Sequence, residues 1–109
     1  MSYDAGLAEI LRGDLVGRPG ITEKRMFGGL AFLVDGNMLC GVHPKGAMFR
    51  VGKANEAAAL AVDGARPMDF TGRPMGGFVD VDADLVADDA RRGRLMRLAL
   101  DFAATLPAK

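Results

Sequence analysis

Apolar residues recur at helical spacing near the start of the chain: Tyr3, Leu7, Ile10, Leu11 and Leu15 form one stripe. The spacing predicts a helix over 3–16. Gly6 and Gly13 weaken it by up to about 1 kcal/mol each relative to alanine, so it depends on packing against the rest of the chain. The segment Gly17-Arg18-Pro19-Gly20 stops it, because glycine suits a helix C-terminus and proline cannot continue the turn. From 23 to 51 the pattern reads as strands, with a period of two. Leu30, Phe32 and Val34 point one way, Ala31 and Leu33 the other. Met38, Cys40 and Val42 alternate with Leu39 and Gly41, and Ala47, Phe49 and Val51 share a face. Asp35-Gly36 is a hairpin signal, since such turns require positive φ. His43-Pro44-Lys45-Gly46 marks the next turn, and the whole region reads as an antiparallel meander.

The alanine-rich segment 54–62 suits a short helix. A glycine- and proline-rich loop is expected over 64–77, with short strands at 68–70 and 78–81. Arg-Pro-Met occurs at 66–68 and again at 73–75, too few copies and too short for a repeat architecture. The last element is an amphipathic helix of about five turns. Leu95, Leu98, Ala99, Phe102, Ala103 and Leu106 form its stripe. Asp88 and Asp89 sit near its start, where negative charge favours the helix dipole. Asp88 is placed to pair with Arg92, and Pro107 ends the helix.

Composition narrows the classes. A chain of 109 residues, half of them hydrophobic, reads as one globular domain over 1–109. Net charge is zero, which speaks against a nucleic-acid binder, whose basic excess neutralises phosphates. A single cysteine fits a reducing compartment. The N-terminus lacks a basic, apolar leader, and no run approaches about 18 apolar residues. A cytoplasmic protein that does not span a membrane is expected.

The chemical motifs fail one by one. Gly28-Gly29 is followed by Leu30, Ala31 and Phe32 where a phosphate loop needs lysine and a hydroxyl residue. The pair is expected to be a bulge or bend between strands. The only serine, Ser2, lies at the terminus. Cys40 and His43 are three apart, so a strand puts them on opposite faces. Cys40 is expected to be a small buried hydrophobe. Asp80, Asp82 and Asp84 have the spacing that opens a calcium loop, but Leu85 and Arg91 replace the required glycine and glutamate. Zinc needs clustered Cys and His, and there is one of each. No catalytic residue, metal or cofactor is expected. Arginine is the remaining signal: Arg25, Arg50, Arg66 and Arg73 among strands and loops, and Arg91, Arg92, Arg94 and Arg97 on the last helix.

The segments EKRMFGGLAFLVDGNMLCGV, MFRVG, RPMDFTGRPMGGFVDV and LALDFAATLP resemble the TfoX N-terminal domain family, named for regulators of natural competence. The resemblance runs from the first helix to Pro107, with Gly77-Phe78 departing from the family's pattern. It implies an α+β fold, with N- and C-terminal helices packed on an antiparallel sheet in a secretion-chaperone-like two-layer architecture often found as dimers. In longer members a second, helical domain follows. This chain ends at Lys109, and a stand-alone domain that need not share the competence role is expected. The family carries no catalytic residues to transfer.

Two functions from different classes follow. The first is a non-enzymatic regulatory or protein-interaction module, with a protein partner and with direct DNA binding weak. The second is a small-molecule-binding or enzymatic protein whose site is assembled from Arg25, Arg50, Asp69 and Arg73. A deep pocket where these groups converge favours the second; a flat apolar face favours the first. A homodimer is expected, because both faces of the strands are partly apolar and an uncovered face needs a cover. Met26, Met38, Met48, Met68 and Met75 all fall in this region, and methionine serves adaptable interfaces.

Overall fold

A computed structural model describes residues 3–26, 28–70 and 72–109; Ser2 lies outside them. Helix α1 spans Ala5–Asp14, capped by Asp4, whose carboxylate accepts from Gly6 N (2.7 Å) and Leu7 N (3.3 Å). Strands β1 (Ile21–Met26), β2 (Gly29–Val34), β3 (Asn37–His43) and β4 (Gly46–Arg50) follow. A 3-10 turn at Lys53–Asn55 leads into α2 (Glu56–Leu60). Then come β5 (Arg66–Phe70), β6 (Arg73–Val81), α3 (Ala83–Ala87) and α4 (Asp89–Ala103).

The α+β expectation holds: one six-stranded antiparallel sheet carries the helices on one face. The order is β1-β2-β3-β4-β6-β5, so the meander covers the first four strands only. After β4 the chain passes through α2 to the far edge, lays down β5, and returns as β6 between β5 and β4. Asp35 and Gly36, at φ 51° and 84°, make the β2–β3 turn with both central residues left-handed.

Two sequence expectations are corrected here. The segment 64–77 is mostly not a loop: each Arg-Pro-Met copy lies in a strand, one in β5 and one in β6. Pro67 is tolerated because β5 is an edge strand and the ladder is irregular between Pro67 and Asp69, and Pro74 because β6 pairs with β4 only from Phe78 onward. Secondly, Met38 does not share a face with Cys40 and Val42. The register slips between Phe32 and Leu33, which pair with Cys40 and Met38 and leave Leu39 as an inserted residue. At such a bulge, two consecutive side chains lean to the same side. Leu39 and Cys40 are both buried in the core beside Phe32.

The core lies between sheet and helices. Phe32, Leu39, Phe49, Val79 and Val81 meet Leu11 of α1, Leu85 and Val86 of α3, and Leu95 and Ala99 of α4. The stripe of α4 is rotated from the expected one: Met96 is buried, while Leu98 and Phe102 are half-buried. Arg92 occupies the inward face as well. It donates to Asp14 Oδ2 of α1 (2.7 Å) and to the Val86 carbonyl of α3 (2.6 Å), tying three helices together. The expected Asp88–Arg92 pair is not made. Asp88 caps α4 through the N–H groups of Ala90 and Arg91 and accepts from Arg91 Nε (3.0 Å).

Candidate functional site

Among the described residues, no helix lies on the sheet's other face. Register explains its shape. Lys24, Ala31, Gly41, Met48, Asp80 and Arg66 form one continuous cross-strand row on that face. Its centre, Ala31 and Gly41, carries almost no side chain, and neighbouring Gly29 carries none. Small residues make a floor and long side chains around them make walls. The result is a groove of about 760 Å³.

The walls are methionine. Met26, Met38, Met48, Met68 and Met75 all line the groove and are all half-buried. Met26 comes from edge strand β1 and Met68 from edge strand β5, so the face is concave from edge to edge. The bulge contributes directly: inserting Leu39 turns Met38 outward into the groove while Cys40 stays in the core.

One end of the groove is polar. His43 Nε2 lies 2.6 Å from Asp80 Oδ1. The Lys45 backbone N–H donates to His43 Nδ1 at 3.1 Å, which leaves Nε2 as the protonated nitrogen donating to Asp80. Arg66 donates to Asp80 Oδ2 (3.0 Å) and to Asp82 Oδ1 (2.8 Å). Burial works to raise the Asp80 carboxyl, but the hydrogen bonds from His43 and Arg66 and the Arg66 charge outweigh it and hold it below the ordinary value. Both nitrogens of His43 are thus engaged within the protein, and neither is free to serve as a base.

The four candidate residues do not converge. Asp69 lines the groove. Arg25 is exposed on β1, in register with the core residue Leu30 and on the opposite side of the strand from Met26. Arg50 stacks its guanidinium 5.9 Å from the Phe78 ring centre and 5.2 Å from that of Phe102. Arg73 is exposed at the start of β6. Sequence reasoning missed His43, Asp80 and Arg66 as a cluster, because Arg66 meets Asp80 only through the β5–β6 pairing and His43 reaches Asp80 only across the intervening β4. It did group the five methionines.

Other chemistry is spoken for. Asp80 and Asp82 are bridged by Arg66, and Asp84 is exposed away from them. Among the described residues no three His, Cys, Asp or Glu side chains converge as a metal set. Burial, with the Asp14 charge adding to it, pushes the Cys40 thiol far above its usual range. No helix of the described residues is long and apolar enough to cross a membrane. A second hollow of about 500 Å³ lies between α1 and α4, lined by Asp14, Arg18, Arg92, Arg97 and Asp101 among others.

The family model of the TfoX N-terminal domain matches residues 14–103. The match runs from the last residue of α1 to the last residue of α4 and includes every strand. No curated protein and no solved structure matches the chain.

Proposed function

The chain belongs to the TfoX N-terminal domain family, and from that premise we propose that it is a non-enzymatic regulatory module of the competence-regulator kind, acting through protein contact. The observation that carries this reading is the concave, methionine-walled face of the sheet. Its occupant is a convex apolar segment, the apolar side of a partner's helix. Strand addition is disfavoured at both edges: β1 exposes Thr22, Glu23, Lys24 and Arg25, and β5 carries Pro67. A helix fits a hollow, and methionine side chains adapt to what they meet. Two copies of the same hollow set face to face would enclose a void instead.

The charges support contact with protein over DNA. Arg91 is held by Asp88 and the Asp63 carbonyl, and Arg92 by Asp14, Asp89 and the Val86 carbonyl. On α4, Arg94 and Arg97 are left without a carboxylate partner among the described residues, and the zero net charge of the chain limits counterion release. The volume of the groove also lies in the small-ligand range of roughly 300–1,000 Å³. That favours a bound apolar small molecule as the second reading, although the arginines expected to bind it stand elsewhere.

Met48→Lys tests the proposal. The lysine faces Asp80 across the β4–β6 ladder, an opposite-charge pair that the sheet accepts. A protein captured from native extract by the wild type and lost with Met48→Lys, at an unchanged unfolding midpoint, is the expected result. Equal capture by both refutes the groove as the docking surface. Light scattering separates the remaining occupants. A mass near 11.5 kDa leaves the groove to a foreign segment. Twice that mass, abolished by Met48→Lys, assigns it to a second copy and a homodimer.

A further inference from the structure

Methionine is distributed unevenly between the two faces of the sheet. The helical core is built from Leu, Val, Phe and Ala with a single methionine, Met96, which is 5% exposed. The five others among the described residues all stand in the groove and all reach solvent. The chain's one thiol, a competing reductant, is 1% exposed and out of reach of a solute. We propose that the groove is a site of reversible methionine oxidation by hydroperoxides, and that oxidation shuts off its recognition of apolar partners. The second half rests on the apolar-docking reading above.

The chemistry is self-contained once the hydroperoxide is supplied. The lone pair of a thioether sulfur attacks one peroxide oxygen. The O–O bond breaks as the S–O bond forms. The proton on the transferred oxygen passes to the departing hydroxide or alkoxide, which leaves as water from hydrogen peroxide or as an alcohol from an organic hydroperoxide. Sulfur loses two electrons and the peroxide gains them. The product is a sulfoxide, polar and chiral where the side chain was apolar and flexible, and methionine sulfoxide reductases restore it. Each sulfoxide places a polar S–O group in an apolar wall, where an apolar occupant leaves it without a hydrogen-bond partner. Leucine at the same positions would keep the wall apolar and remove the reactive sulfur, since the swap nearly conserves volume. Nothing in the core must move for the switch to act.

The test treats the folded protein with hydrogen peroxide at neutral pH. Peptide mapping follows the gain of about 16 Da per sulfoxide, and binding of 1-anilinonaphthalene-8-sulfonate reports the groove. The expected result is oxidation of the five groove methionines ahead of Met96, with a cooperative urea transition retained and dye affinity reduced at least about tenfold. A variant with Leu at positions 26, 38, 48, 68 and 75 should bind the dye and keep its affinity through the same treatment. Where that variant does not fold, Met38→Leu with Met48→Leu should protect the affinity in part. Oxidation of Met96 at the same rate as the others overturns the site. Unchanged dye affinity after five-fold oxidation, or an equal loss in the leucine variant, overturns the switch. The docking reading fails separately: an untreated protein that does not bind the dye, or binds it equally as Met48→Lys, refutes the groove and the switch with it, while the oxidation map still decides the modification site.

Discussion

Gly28 and Gly29 are adjacent and look interchangeable, yet the structure requires each for a different reason, and alanine substitution should separate the two. Gly28 has φ 75°, and a Cβ there would meet nothing closer than Pro44 Cγ at 3.9 Å. Its cost is conformational, about 1–2 kcal/mol for a left-handed residue. Reduced freedom of the unfolded chain offsets about 0.4–1 kcal/mol of that. Gly28→Ala should therefore cost about 0–1.6 kcal/mol, centred below 1. Gly29 lacks a positive φ but has no room: a Cβ would lie 2.1 Å from the Val42 carbonyl oxygen and 3.3 Å from His43 Cα. These are backbone atoms of the neighbouring strand and cannot rotate away. Relief means prising β2 from β3 beside the Leu30–Val42 pair. Overpacking costs about 1–3 kcal/mol, and one weakened ladder hydrogen bond adds about 0.5–1.5 kcal/mol. After the same unfolded-state offset, Gly29→Ala should cost about 0.5–4 kcal/mol, centred near 2, or on the order of 10 °C in Tm for a domain of this size. Urea unfolding followed by far-UV circular dichroism measures both variants against the wild type. A cost for Gly29→Ala no larger than that for Gly28→Ala refutes the close-approach reasoning.

Leu95→Ala should destabilise by about 2–5 kcal/mol, since Leu95 is fully buried, whereas half-buried Leu98→Ala should cost clearly less; equal losses by urea unfolding would place the core face of α4 wrongly. Cys40 should react with a thiol reagent far more slowly in the folded than in the urea-unfolded protein, and equal rates would contradict its burial. Asp80 has its folded pKa lowered from 3.8, so the stability it contributes is complete above its unfolded value and is lost as pH falls through the lowered folded value. Acid titration of stability should therefore show a weaker decline below about pH 4 for Asp80→Asn than for the wild type, and parallel curves would remove Asp80 as a contributor.

Strands β2 and β4 and the turn after β2 were legible because each obeys one rule at a time: alternation in Leu30 to Val34, a left-handed dipeptide at Asp35-Gly36, alternation again in Ala47 to Val51; β3 was legible as a strand, but its bulge at Leu39 was not. The β5–β6 hairpin was legible only in part, as short strands at 68–70 and 78–81, because Pro67, Pro74, Gly76 and Gly77 break the alternation that announces the rest, and only pairing with β4 makes β6 central. The rotation of the α4 stripe was hidden by Arg92, whose charge disguises an inward position that becomes tenable only when Asp14, remote in sequence, arrives to meet it. The groove was half-visible. The methionines could be grouped from sequence, but the hollow they surround depends on Gly29, Ala31 and Gly41 falling side by side, which is a matter of register. The scatter of the candidate arginines could not be read from residue type: Arg50 lies against Phe78 and Phe102, while Arg25 and Arg73 stand exposed on β1 and β6.

The inserted Leu39 also sets how this strand can change in length. Removing any other residue from the interior of β3 shifts every side chain on one side of the cut to the opposite face. Removing Leu39 does not: Met38 and Cys40 become neighbours opposite Leu33 and Phe32, which are already neighbours, and every remaining pair keeps its partner and its face. The loss is confined to one buried leucine. Position 39 is thus the point in β3 where a related chain can be one residue shorter and still present the same groove.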